Sequence, residues 1–179
     1  MRRSLVIFAS TVAAALLLAG CDHAADDSAR NATTAGRPRP GPVDPEVYRS
    51  DGGYYFQSAD RSITCGILDE AVGQPRRFTG CQGTTVPAPP EMQACWSTDP
   101  ESAALAVGEN AGYLCVNEGM FVRPDANAKA PKAGGPVLPA GSSLSVHGFT
   151  CQAQPVGIVC RNDANGSGFE IAPGSNRVF

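Results

Sequence analysis

Six cysteines, Cys65, Cys81, Cys95, Cys115, Cys151 and Cys160, constrain this chain more than any other feature. The chain opens Met1-Arg2-Arg3 and continues through an apolar stretch from Leu5 to Leu18, the charged start and short apolar core of an export signal. That stretch is about 14 residues, short of the roughly 20 that a spanning helix needs. An even set of cysteines in an exported chain reads as three disulfides. No Cys-x-x-Cys pair is present to suggest a redox motif or a zinc knuckle. Six cysteines allow fifteen pairings. The sequential one (Cys65 with Cys81, Cys95 with Cys115, Cys151 with Cys160) is favoured, because each segment reads as two short strands around a turn and a hairpin brings such neighbours within bridging distance. Each closed loop of this size contributes about 3 kcal/mol by loop-closure entropy.

The seventh cysteine has a different setting. Leu18-Ala19-Gly20-Cys21 stands directly after the apolar core and resembles the lipobox of bacterial lipoproteins. The resemblance implies diacylglycerol on the thiol of Cys21 and cleavage just before it, with small Ala19 and Gly20 admitting the peptidase. Each buried methylene contributes about 0.8 kcal/mol, and two acyl chains hold where one would slip off. The expected partner is therefore a lipid bilayer, and the expected location is the extracytoplasmic face of the cell membrane.

This reading divides the chain into a signal peptide at 1–20, a lipidated tether at 21–50 and one domain at 51–179. From Asp22 to Pro45 large apolar residues are scarce, and the stretch runs through Arg37-Pro38-Arg39-Pro40-Gly41-Pro42. Such a composition cannot bury enough surface to offset its ordering entropy. Fully extended, it reaches about 75 to 80 Å at roughly 3.3 Å per residue. Removing Arg2 and Arg3 with the signal leaves 12 basic against 17 acidic residues. That acidic balance, with Arg76-Arg77 as the sole adjacent basic pair of the mature chain, gives no footprint for nucleic acid.

Beyond the tether, short β-like runs alternate with Gly, Pro, Asn and Asp. Strands are expected at Tyr54–Ser58 and Ser62–Leu68 around a turn at Ala59-Asp60-Arg61. Further strands are expected at Arg77–Cys81, Gly112–Val116, Gly119–Arg123, Ser143–Cys151, Gly157–Arg161 and Gly168–Ala172. Many short strands with frequent turn signals predict an all-β domain, a small disulfide-stapled sandwich or barrel. One short helix is expected at Glu101–Glu109, where Pro100 suits a helix start. The proline-bearing runs Thr84–Glu91 and Pro124–Gly141 read as loops.

A set of motifs resembles a family of small exported proteins and lipoproteins of mycobacteria and their relatives that carry a cysteine-rich domain of unknown function. The motifs are Phe56-Gln57-Ser58, then Ser62-Ile63-Thr64-Cys65-Gly66, then Cys81. A carboxy-terminal block follows: Leu138-Pro139-Ala140-Gly141, Gly148-Phe149-Thr150-Cys151, Gly157-Ile158-Val159-Cys160-Arg161-Asn162 and Gly168-Phe169. The resemblance spans residue 53 to the end. Two departures are Ala59-Asp60-Arg61, where the family tends to Ser-Pro-Ser-Gly-Asn, and Ser167, where a histidine is common. The resemblance implies a fold and a pairing, and carries no activity.

Catalytic chemistry finds few footholds. The domain has a single histidine, His147, within the expected strand Leu144–Phe149, and no Gly-x-Ser-x-Gly elbow. All six domain cysteines are better used as bridges. Asp69-Glu70 and Asp99 with Glu101 are the nearest carboxylate pairs for a hydrolase. Asp163, Asn165 and Ser167 occupy the first, third and fifth positions of a candidate calcium loop with Gly168 at the sixth, but position twelve is Gly174 rather than glutamate. A hairpin turn accounts better for this Asn-Gly segment. No cofactor is expected. The aromatic residues read as core, with Trp96 packed beside Cys95 and one of Tyr54 and Tyr55 left for recognition, since they point to opposite faces of a strand. The expected function is a non-catalytic binding or structural module meeting an envelope protein or ligand. The alternatives are an envelope hydrolase using acidic residues and an inhibitor-like module presenting the loop Val86–Glu91.

Overall fold

The computed structural model describes residues 40–69, 77–116, 119–124 and 134–179. Cys21 and the expected signal peptide at 1–20 lie outside them. Eleven strands and one short helix form the described chain. A first antiparallel sheet runs in chain order: β1 Arg49–Ser50, β2 Gly53–Gln57, β3 Thr64–Leu68, β4 Phe78–Gln82, β5 Ala103–Val107 and β6 Ala111–Cys115. A second sheet does the same with β7 Ser143–Val146, β8 Phe149–Ala153, β9 Ile158–Asn162, β10 Gly168–Ala172 and β11 Ser175–Val178. The helix, α1, is Gln93–Trp96. Among the described residues no helix is long and apolar enough to cross a membrane.

The two sheets share one core. Side chains alternate along each strand. Phe56, Cys65, Ile67, Cys81, Leu105 and Val107 of the first sheet therefore face Leu144, Cys151, Ile158, Cys160, Phe169 and Ile171 of the second, in one buried cluster. Two disulfides are rungs of this core. Cys65 and Cys81 sit directly opposite one another on β3 and β4, and Cys151 and Cys160 do the same on β8 and β9, each pair with Cα atoms 4.0 Å apart. The Thr79 hydroxyl donates to the Gly66 carbonyl and lies 3.5 Å from Cys151 Sγ, so the bridge of one sheet packs against the other. The third bridge, Cys95–Cys115, joins α1 to β6. All three pairings follow the sequential order, although the second spans a helix and a strand rather than a hairpin.

The first sheet is covered on its other face as well. Gly66, Gly80, Ala104 and Ala106 point there, and their small size admits a second cluster of Tyr55, Leu68, Val116 and Phe121, with Phe78 and Leu114 packed against it. The Phe121 ring lies directly on Gly80, where a Cβ would come within 2.1 Å of its Cζ. The segment that carries Phe121 is held by its backbone N–H donating to Gln82 Oε1. Residues 119–124 are thus a turn laid over the sheet, not the strand expected at Gly119–Arg123.

Other expectations are corrected by burial. Glu101–Glu109 is not helical: a 3-10 turn at Pro100–Ser102 leads into β5. Helix propensities differ by only tenths of a kcal/mol per residue, whereas placing Ala103, Leu105 and Val107 in the core requires the period of a strand. Ser143–Cys151 is two strands, β7 and β8, broken at His147-Gly148. β1, β5 and β11 were not anticipated as strands. Residues 42–50, assigned above to the tether, pack onto the sheets: the Val43 N–H donates to the Ser143 carbonyl, the Ser143 N–H donates to the Gly41 carbonyl, and Tyr48 is buried with its ring edge-on to Phe56.

Gly80→Ala should destabilise the domain by about 1–3 kcal/mol, the usual cost of overpacking, although alanine ordinarily suits a strand better than glycine. In a Phe121→Ala background the same change should be neutral or stabilising. Urea unfolding of the four proteins of this double-mutant cycle measures the coupling.

Candidate functional site

The described titratable side chains converge most closely around His147. This residue lies in the two-residue turn between β7 and β8, with φ of 56° at His147 and 82° at Gly148. Positive φ at both central positions is the requirement of a type I′ hairpin turn, and histidine tolerates that region better than most side chains. The turn carries the imidazole off its own sheet and towards the first.

Asp69 lies just beyond β3, held by its N–H donating to the Gly52 carbonyl. Its Oδ1 is 2.7 Å from His147 Nε2, and its Oδ2 is 2.6 Å from Arg49 Nη1. Arg77 Nη1 lies 3.2 Å from His147 Nδ1. The Arg49 guanidinium also sits 4.8 Å over the Tyr54 ring, whose centroid is 5.6 Å from that of His147 in an edge-on arrangement. Burial disfavours the Asp69 charge, but the hydrogen bonds from Arg49 and His147 outweigh it and hold the carboxyl below the ordinary carboxylate range. The hydrogen bond to Asp69 in turn raises Arg49.

These contacts assign the imidazole tautomer. A guanidinium can only donate, so Nδ1 accepts from Arg77 and the proton of the neutral ring sits on Nε2, donating to Asp69. In a catalytic dyad the second ring nitrogen faces a nucleophile whose proton it removes. Here that position is taken by a permanently charged arginine. The group therefore joins β1, β3, the residue before β4 and the β7–β8 turn, and acts as a clamp between the two sheets.

A second clasp lies at the same end of the sandwich, where the Asp163 N–H donates to the Gly148 carbonyl. It contains the candidate calcium residues, and their oxygens are committed to the protein. Asp163 accepts from Thr150 Oγ1 and Arg161 Nε, Asn165 Oδ1 accepts from the Ser167 N–H, and Ser167 Oγ accepts from the Ala111 N–H. Asn162 Nδ2 and Asn165 Nδ2 donate to the Gly108 and Glu109 carbonyls. The segment is a hairpin turn sewn to the β5–β6 turn. No cluster of three or more His, Cys, Asp or Glu with metal-binding geometry occurs among the described residues.

The other candidates separate. Asp99 Oδ1 accepts from the Glu101 N–H and caps the 3-10 turn, so this carboxylate is part of the backbone scaffold. Glu70 lies outside the described residues. Trp96 is buried, donates from Nε1 to the Leu114 carbonyl and meets Tyr113 edge-on. Tyr55 is buried behind the first sheet, which leaves Tyr54 the half-buried member of that pair. The loop that begins at Thr84 is tied to the β10–β11 hairpin: Thr85 Oγ1 donates to the Ala172 carbonyl, Val86 N–H to the Pro173 carbonyl, and Asn176 Nδ2 to the Pro87 carbonyl.

The motif around the first cysteine has a local function. Asp60 accepts from Ser58 Oγ and Ser62 Oγ, while Ser58 Oγ accepts from the Ile63 N–H. Burial again opposes the charge, and the two serine hydroxyls prevail and lower the Asp60 carboxyl. The departure Ala59-Asp60-Arg61 thus closes the β2–β3 turn in its own way, with Arg61 at φ 61°. Sequence reasoning missed the Asp69–His147–Arg49–Arg77 group because its members stand far apart in the chain; Gly148 was the one local hint that His147 occupies a turn.

No family model matches this chain, and searches against curated proteins and solved structures find no match.

Because the Asp60 and Asp69 carboxyls sit lower in the folded state than in the unfolded chain, their stabilisation is present above the ordinary carboxylate range near 4 and is lost as pH falls through their depressed values. Asp69→Asn should flatten the fall of stability below about pH 4 and cost about 1 kcal/mol at pH 7, the scale of a partly exposed ion pair. Denaturant midpoints from pH 2 to 7 for both proteins provide the check.

Proposed function

We propose that this chain is an exported lipoprotein, anchored to the membrane through Cys21, whose β domain is a non-catalytic binding or structural module of the cell envelope. The anchor reading rests on Leu18-Ala19-Gly20-Cys21 following the apolar leader. It agrees with the resemblance of the cysteine motifs to small exported mycobacterial lipoproteins.

The observation that carries the non-catalytic reading is the engagement of both His147 ring nitrogens, one by Asp69 and the other by Arg77. The domain's single histidine stabilises the join between sheets instead of standing beside a hydroxyl it could activate. The disulfides support the same reading, since a covalent tie within each sheet of a packed β core suits a domain displayed outside the cytoplasm.

In cells of a lipoprotein-processing bacterium, the chain should fractionate with membranes, and Cys21→Ala should release it to the soluble fraction. Retention of the Cys21→Ala protein would refute the anchor. Crosslinking in intact envelope, with the Cys21→Ala form as control, tests the module. A reproducible partner lost on Tyr54→Ala supports a binding role for that half-buried aromatic. His147→Ala should weaken folding without abolishing any hydrolysis of envelope substrates; loss of such an activity would instead favour an enzyme.

A further inference from the structure

The three disulfides divide into two chemical classes. Cys65–Cys81 and Cys151–Cys160 link facing residues of neighbouring strands, and all four cysteines have no exposed surface. Cys95–Cys115 is different. Cys115 is the last residue of β6, the end strand of its sheet, and is exposed; Cys95 is half-buried on the single turn of α1. An attacking thiolate must reach a sulfur, and of the three bridges this one alone is carried by residues with exposed surface.

We propose that Cys95–Cys115 is a thiol–disulfide exchange site, reduced by an external dithiol while the other two bridges stay closed. The thiolate of the dithiol attacks Cys115 Sγ, the Sγ–Sγ bond breaks, and Cys95 leaves as a thiolate that takes up a proton. The second thiol of the reductant then attacks its own sulfur in the mixed disulfide and releases Cys115. The reductant is oxidised to a disulfide, and two electrons and two protons pass to the pair of cysteines.

The surroundings of Cys95 fit this chemistry. Ser102 Oγ lies 3.2 Å from Cys95 Sγ and donates its own proton to the Asp99 carbonyl. Its lone pairs thus face the sulfur, so a thiol formed at Cys95 meets an acceptor already in place. Reduction also leaves α1 attached, because Trp96 is buried in the core and donates to the Leu114 carbonyl of β6. Opening the bridge therefore loosens α1 from the sheet end without cutting either rung of the core.

The test is differential alkylation of the full lipidated chain in detergent, without denaturant. Dithiothreitol is titrated at neutral pH, free thiols are trapped with N-ethylmaleimide, and labelled sites are mapped by mass spectrometry. Cys95 and Cys115 should be labelled at least tenfold faster than the other four, while the β-sheet signal in far-ultraviolet circular dichroism stays largely unchanged. Equal labelling of all six, or opening of a core bridge first, would overturn the proposal. Ser102→Ala should disfavour reduction by about fivefold, the scale of one lost hydrogen bond; no change would remove serine from it. The paired Cys95→Ala/Cys115→Ala protein should unfold cooperatively and show no fast-labelled thiol. Failure of that variant to fold would show that the bridge cannot open locally, and would sink the idea.

Discussion

The fold depends on two disulfides buried in the shared interior, one in each sheet. Each joins residues directly opposite on neighbouring strands, which fixes the register of β3 against β4 and of β8 against β9. A slip of one residue would turn every side chain of a strand to the wrong face. Thr79 transmits this order between layers, because its hydroxyl both satisfies the Gly66 carbonyl and touches Cys151. Around these rungs the large apolar residues Phe56, Leu105, Leu144 and Phe169 complete a single core.

The first sheet carries a further constraint, because it is packed on both faces. Its back-facing positions are glycine or alanine where Tyr55 and Phe121 cross them. Small residues in β3, β4 and β5 therefore have a steric purpose that a strand solvated on one side would not impose. The same constraint explains why Ala103–Val107 is a strand despite a helix-favouring composition: Ala104 and Ala106 fit beneath one layer while Leu105 and Val107 fill the other.

One end of the sandwich is closed by polar contacts. The β7–β8 turn brings His147 to Asp69, and the β9–β10 turn brings Asn162, Asn165 and Ser167 to the β5–β6 turn. Both arrangements use polar side chains to hold turns together, and they account for the lone histidine of the domain and for the partial calcium-loop pattern that the sequence reading assigned to a hairpin turn. The exposed chemistry lies at the other type of join, where α1 meets β6 through a disulfide and a buried tryptophan. Two bridges thus lie inside the core and the third joins α1 to the end strand of the first sheet at the surface.

Much of this architecture was legible in local patterns. Short alternating runs separated by turn residues announced an all-β chain, and the close spacing of cysteines indicated sequential bridges, because hairpin partners are neighbours in sequence as well as in space. The expectations of an export signal and of lipidation at Cys21 likewise rest on consecutive residues, which lie outside the described part of the chain. What the chain did not disclose was long-range. The turn at His147-Gly148, the laying of Phe121 on Gly80, the strand identity of Ala103–Val107 and the meeting of Arg49, Asp69, Arg77 and His147 all depend on which surfaces the two sheets bury together. Local propensities of a few tenths of a kcal/mol yield to the burial of whole side chains, each worth about 1.5–3 kcal/mol, and that burial exists only once the sheets have packed.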